Sequence, residues 1–189
     1  MLKELVAKNR SYRRFRQEVP IARETLEELV DLARLCASGM NRQPLKYMLF
    51  TDAASNAKIF SCLGWAMNLP EWPGPDEGQR PAAYILILGD TEVWPSFGCD
   101  HGIAAQTILL GAVEKGLGGC MLGSIQRPKL RRLLDIPERY EILLVVALGI
   151  PDERVILEEL GPDGDTRYYR DSEGAHHVPK RALKDIILR

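Results

Sequence analysis

Residues 100–124 read "DHGIAAQTILLGAVEKGLGGCMLGS", and the stretch divides into two halves of different character. In the first half, Ile103, Ala104, Thr107, Ile108, Gly111 and Ala112 recur at helical spacing, with little charge before Glu114. That spacing predicts a helix over about 100–115, apolar enough to lie at the buried centre of the fold. The second half, "GLGGCMLGS" (116–124), predicts a turn and a short strand. Its glycines, at 116, 118, 119 and 123, fit neither the dinucleotide fingerprint G-x-G-x-x-G nor a Walker loop, and Met121 stands where that fingerprint needs glycine. A tight helix-to-strand turn is the plain alternative.

Outward from this block, "YILILG" (84–89) and "ILLVVALGI" (142–150) are short apolar runs that read as buried strands and are far too short to span a bilayer. Upstream, Leu2, Leu5 and Val6 mark a short helix over 2–8. Thr25 and Glu28 read as a capping box opening a helix over 25–36, with Leu26, Leu29, Val30, Ala33 and Cys36 on its apolar face. "YMLFT" (47–51) reads as a strand, 54–63 as a helix, and the Pro-, Gly- and Trp-rich stretch 64–81 as a long loop. Pro128 suits the first turn of a further helix. The tail reads as polar until "HVPKRALKDIIL". Helices and strands interleave without a regular βαβ period, which predicts an α+β fold in a single domain over 1–189.

The chain carries 25 basic and 26 acidic residues, a net charge of −1 that argues against duplex nucleic acid as the main partner. The opening "MLKELVAKNR" lacks the apolar core of a signal peptide, and the four cysteines are scattered without zinc or redox spacing. Both point to a cytoplasmic protein with reduced thiols and no membrane association. His101, His176 and His177 form no converging metal set, Cys120 reads as a structural thiol, and no Ser/His/Asp arrangement is evident. Side chains alone support little chemistry, so a reaction here implies a bound cofactor.

"NRSYRRF" (9–15) is the other conspicuous stretch. Arg10, Ser11 and Arg13 offer forked donors and a hydroxyl that suit phosphate oxygens, while Arg14 reads as a surface charge. Taken alone, the same residues more commonly make a solvated basic turn.

The order of motifs resembles the FMN-dependent nitroreductase family over nearly the whole chain. Arg10, Ser11, Tyr12, Arg13 and Phe15 match its amino-terminal phosphate motif, with Asn9 where many members have arginine. "ASGMNRQPL" (37–45) is similar to its second motif, keeping Ser38, Asn41, Gln43 and Pro44 but with Ala37 and Leu45 replacing Pro and Trp. Residues 100–118 resemble its long helix ending in G-L-G, with Asp100, Gln106 and Leu109–Leu110 in register. "CMLGS" (120–124) and "PKR" (179–181) resemble its flavin-facing strand and its C-terminal basic pair.

The resemblance implies a mostly antiparallel sheet flanked by helices and an intertwined homodimer with FMN at the interface. It implies FMN contacts from Arg10, Ser11, Tyr12 and Arg13, from Ala37, Ser38, Gly39, Asn41 and Gln43, from Met121, Leu122, Gly123 and Ser124, and from Lys180 or Arg181. It also implies electron transfer from NAD(P)H to a nitroaromatic or quinone with no catalytic side chain, and no metal. A same-fold flavoenzyme of different chemistry, such as a dehalogenase, dehydrogenase or flavin-degrading enzyme, and an FMN-binding protein without turnover are the alternatives. Trp65, Trp72, Trp94 and Phe97, in loops 64–81 and 93–99, either cover the flavin or pack the loops.

Overall fold

Every residue of Ala83–Asp90 is buried in the computed structural model, which describes residues 1–188. Arg189, the last residue of the expected domain, lies outside the described residues. The elements in chain order are α1 (Leu2–Lys8), α2 (Arg23–Arg34), β1 (Leu45–Phe50), α3 (Ala53–Phe60), β2 (Ala83–Asp90), α4 (Asp100–Glu114), β3 (Gly118–Leu122), α5 (Arg127–Leu133), β4 (Tyr140–Gly149), β5 (Val155–Glu159), β6 (Tyr169–Arg170) and β7 (His176–Lys180).

Strands β1, β2, β4 and β3 pair in that order, antiparallel throughout, as a central four-stranded sheet. Because strand side chains alternate between faces, β2 feeds two apolar cores. Ile85 and Ile87 pack with Leu26, Leu29 and Ala33 of α2 and Ala104, Ala105, Ile108, Leu109 and Ala112 of α4. Tyr84, Leu86 and Leu88 pack on the opposite face with Ile59 of α3 and Leu130 of α5. The α+β expectation holds, in a helix–sheet–helix arrangement.

Three local readings are corrected. Helix α2 begins at Arg23 behind Ala22, with no side-chain cap, so Thr25 and Glu28 form no capping box. Ile21, just before the helix, and Leu26 in its first turns are buried in the same cluster, an apolar clasp around the N-terminus that starts the helix two residues earlier. The buried stripe of α4 also runs through Ala105 and Leu109, leaving Ile103 38% exposed. The tail, read as polar, builds a second sheet in the order β5-β7-β6, with β5 and β7 parallel. Helix α3 is capped by Asp52, which accepts from the Ser55 amide at 2.8 Å, and Pro128 lies in the first turn of α5 as expected.

The glycines of "GLGG" divide their work. Gly116, at φ +75°, turns the chain out of α4. Gly118 and Gly119 lie within β3, where a Cβ on Gly118 would sit 2.5 Å from the Tyr12 ring. Their bareness lets the segment after α1 lie against the sheet, with Ser11 bridged in parallel to Gly119 and the Tyr12 amide donating to the Gly119 carbonyl at 3.0 Å.

No helix among the described residues is long and apolar enough to cross a membrane.

Candidate functional site

Pinned by that bridge, Arg10, Ser11 and Arg13 line a cavity of about 360 Å³, while the Tyr12 ring packs instead against Gly118. Arg10, Ser11 and Arg13 form one side, Gln106 and Leu109 of α4 and Met121 of β3 form the floor, and Tyr168, His176, Val178 and Lys180 close it from the second sheet. Three cationic side chains and a hydroxyl therefore meet where, among the described residues, no carboxylate contributes to the lining.

The two guanidinium groups are each held in a definite way. Arg10 donates to the Val6 carbonyl at 2.6 Å, while its Nε is buried without a partner among the described residues. Burial lowers its pKa from the ordinary value, partly offset by Tyr12. Burial likewise raises the pKa of Tyr12, whose hydroxyl donates to the Lys8 carbonyl at 3.1 Å. The Arg13 guanidinium lies 4.8 Å from the Tyr168 ring centre and contacts the Ser11 carbonyl and His176 Nε2, each at 3.2 Å. The amides of Arg13 and Arg14 both donate to Glu153 Oε1. Glu153 also pairs with Arg170 at 2.9 Å, with 2% and 12% of the two side chains exposed. Arg14, read as a surface charge, is half-buried: its guanidinium lies over Trp72, as does that of Arg170.

The second motif lies elsewhere in this chain. Ala37, Ser38 and Gln43 line a different pocket of about 160 Å³ with Tyr47 and Asp100. Ser38 Oγ donates to Asp100 Oδ2 at 2.6 Å and accepts from the Gln43 amide at 2.9 Å, and the Gly39 amide donates to Asp100 Oδ1 at 3.0 Å. Asp100 thus ties the loop to the start of α4. Met40, Asn41 and Gln43 have φ of 52°, 54° and 52°. Such backbone costs about 1–3 kcal/mol per residue without glycine and concentrates at functional sites.

Of the remaining expected residues, Met121 and Lys180 face the first cavity, whereas Leu122 points into the opposite core at 5% exposure. Gly123 and Ser124 are exposed, the Ser124 carbonyl accepting from the Gly64 amide at 2.9 Å, and Arg181 is exposed outside the cavity lining. Trp65 and Phe97 are buried, packed against Phe60 and against Gly89 respectively, and Trp94 carries the Arg42 guanidinium at 4.3 Å. None of the four aromatics lines the cationic cavity.

Tyr168, His176 and Val178 were absent from the expected set. The available signal was period two: once "HHVPK" is a strand, His176, Val178 and Lys180 share one face. His177 faces the other way, between Glu158 Oε2 at 2.9 Å and Asp171 Oδ2 at 3.0 Å, stacked on Tyr169. Asp171 first, and Glu158 with it, raise the His177 pKa above its ordinary value. The adjacent His176 moves oppositely: burial first, then Arg13 and Arg170, push it down to about 4.

Comparison with known proteins agrees with this architecture. A family model described as the nitroreductase family matches residues 6–150. A curated relative from Archaeoglobus fulgidus, provisionally named an NADH dehydrogenase/NAD(P)H nitroreductase, is 29% identical over 147 residues, covering 73% of this chain and 79% of its own. An iodotyrosine deiodinase from Thermotoga neapolitana is 24% identical, covering 81% and 90%. Among solved structures, an FMN-dependent nitroreductase from Clostridium difficile superposes with a TM-score of 0.70 at 20% identity, covering 98% of this chain and 96% of that one. With most of its length matched and its sheet, helices and cationic cavity in place, the chain belongs to the nitroreductase family and, with it, to the flavin-dependent oxidoreductases.

Proposed function

We propose that this single domain binds FMN and passes electrons from NAD(P)H to an electron-poor small molecule such as a nitroaromatic or a quinone. The observation that carries the reading is the meeting of Arg10, Ser11, Arg13 and Lys180 around one cavity with no carboxylate among the described residues that line it. That donor set fits a phosphate monoester dianion: two guanidinium forks, an ammonium and a hydroxyl, with a buried Arg10 Nε still to be answered. When bound, the flavin supplies hydride acceptance and electron delivery. The protein's residues bind and orient it. Arg10 and Arg13 hold the phosphate end, Met121 and Leu109 offer an apolar floor, and Gln106 offers an amide beside them.

In this proposal the chain works as a homodimer. The 37–43 loop lies away from the cationic cavity of its own chain, and a second copy brings it to the flavin, where Asn41 and Gln43 offer amide groups. Its strained backbone and its tether to Asp100 suit a loop built to meet something outside its own subunit. The apolar side chains of Ile186, Ile187 and Leu188 are exposed and suit contact with that copy. We place the protein in the cytoplasm, where its four free cysteines remain reduced.

The absorption spectrum of the purified protein tests the reading directly. Flavin bands, bleached by NADH or NADPH and restored by a nitroaromatic, are expected. A protein that is colourless and takes up no added FMN would sink it. The similarity to an iodotyrosine deiodinase favours one second reading, reductive dehalogenation on the same fold. Release of halide from a haloaromatic by the reduced protein, with no turnover of nitro compounds, would select it.

A further inference from the structure

The second sheet lies beyond residue 150, outside the span matched by the family model, yet it supplies part of the cationic cavity. His176 is its most buried contribution, 1% exposed and aligned with Val178 and Lys180 on one face of β7. Its Nε2 lies 3.2 Å from Arg13 Nη1. A guanidinium can only donate, so Nε2 is the acceptor and the single proton of the neutral ring resides on Nδ1. That Nδ1 is buried and has no partner among the described residues. A buried donor without an acceptor is costly, and the neighbourhood offers more donors than acceptors. Arg13 and Arg170 surround the ring, and Glu153 is already engaged by Arg170 and two amides.

Resting on the reading of this cavity as a phosphate site, we infer that His176 is a further phosphate ligand, holding Arg13 through Nε2 and donating from Nδ1 to a phosphate oxygen. An anionic oxygen is the acceptor this ring lacks. The tilted packing of His176 against Tyr168, with ring centres 5.1 Å apart, and the Arg13 guanidinium over that same tyrosine hold both donors in register. The low pKa of His176 accords with the assignment, since a ring kept neutral can accept from arginine and still donate.

The test compares FMN with riboflavin, which lacks only the phosphate, by titration into the full chain freed of bound flavin. His176→Phe keeps the ring volume but loses both hydrogen bonds. It should reduce the preference for FMN over riboflavin by about 10- to 100-fold, the range for hydrogen bonds to a charged group. His176→Gln, which can still accept and donate, should retain most of the preference. A general loss of folding or of ring binding would shift both ligands together and leave the ratio unchanged, so an unchanged ratio in His176→Phe overturns the inference. Wild-type protein that binds FMN and riboflavin equally would instead overturn the phosphate-site reading itself, and His176 with it. Should His176→Phe fail to fold, long-range proton–nitrogen NMR of the wild type decides. The neutral Nδ1–H tautomer, with its Nδ1 resonance moving on addition of FMN, supports the assignment. An Nε2–H tautomer, or a resonance that FMN leaves in place, refutes it.

Discussion

Glu153 and Arg170 form a buried ion pair at 2.9 Å, and the second carboxylate oxygen of Glu153 accepts the amides of Arg13 and Arg14. One carboxylate thereby joins the start of the second sheet, the β6 strand and the arginine segment that faces the cavity. Removing one partner of a buried pair leaves an uncompensated charge and costs about 3–5 kcal/mol. Glu153→Ala should lower unfolding stability by that order in urea titrations and should release flavin before global unfolding. Loss of stability with flavin retained to the global transition would show that Glu153 does not position the segment.

Arg10 and Arg13 sit on the cavity with their side chains only partly covered. Arg10→Ala and Arg13→Ala should each weaken FMN binding by about 10- to 100-fold, with riboflavin affinity and melting temperature nearly unchanged. Flavin content after purification gives a first answer. Unchanged content in the double variant would remove the phosphate from this end of the protein.

Gly119 has no room for a side chain: a Cβ would meet the Ala147 carbonyl and the Leu109 side chain. Gly119→Ala should destabilise the fold by about 1–3 kcal/mol or more, measurable as a lower melting temperature. Because Ser11 bridges to Gly119, flavin affinity should fall with it. A variant as stable as the parent would mean that β3 and the arginine segment are not packed as described.

The two adjacent histidines predict opposite pH effects. His177 is raised by Asp171 and Glu158. Its contribution is therefore complete below the unfolded value of about 6.5 and is lost as pH climbs through the raised folded value. His176 is depressed to about 4 by burial, Arg13 and Arg170. Below pH ~6.5 the unfolded chain takes up a proton that the native ring refuses, so stability falls by up to about 3 kcal/mol as pH drops towards 4. Chemical denaturation across pH 4–9 should show both arms. His177→Gln should flatten the alkaline arm and His176→Gln the acidic one, and an exchange of these effects would refute the assignment.

If a second copy completes the site, sedimentation should report a dimer. Ile186→Asp with Ile187→Asp, both at exposed apolar positions, should then shift it towards monomer and release flavin. A flavin-bound monomer would overturn the two-copy site.

The central layers were legible because their signals are local. Continuous apolar runs in β2 and β4 and the helical stripe of α4 are dictated by neighbours in the chain, since burial demands them wherever the elements end up. Arg10, Ser11, Arg13 and Lys180 were legible as a motif order. The start of α2 differs because Thr25 and Glu28 satisfy a capping pattern, whereas burial of Ile21 and Leu26 in one cluster sets the helix start at Arg23. Alternation along β3 turns the Leu122 side chain into the opposite core while Met121 faces the cavity, a division that the motif alone does not give.

The tail carried the largest gap. β5, β6 and β7 are short and rich in charge, and their stability comes from distant partners: His177 between Glu158 and Asp171, and Glu153 with Arg170 and the amides of Arg13 and Arg14. Hydrophobic periodicity is a property of consecutive residues, and it prescribed the sheet, its helices and the kinds of donor available for an anion. Which donors converge, which arginine is buried and which of two neighbouring histidines is neutral depend on charges and rings brought together across more than a hundred residues. Burial and Coulomb interaction act through space, and those distances exist only once the chain has folded.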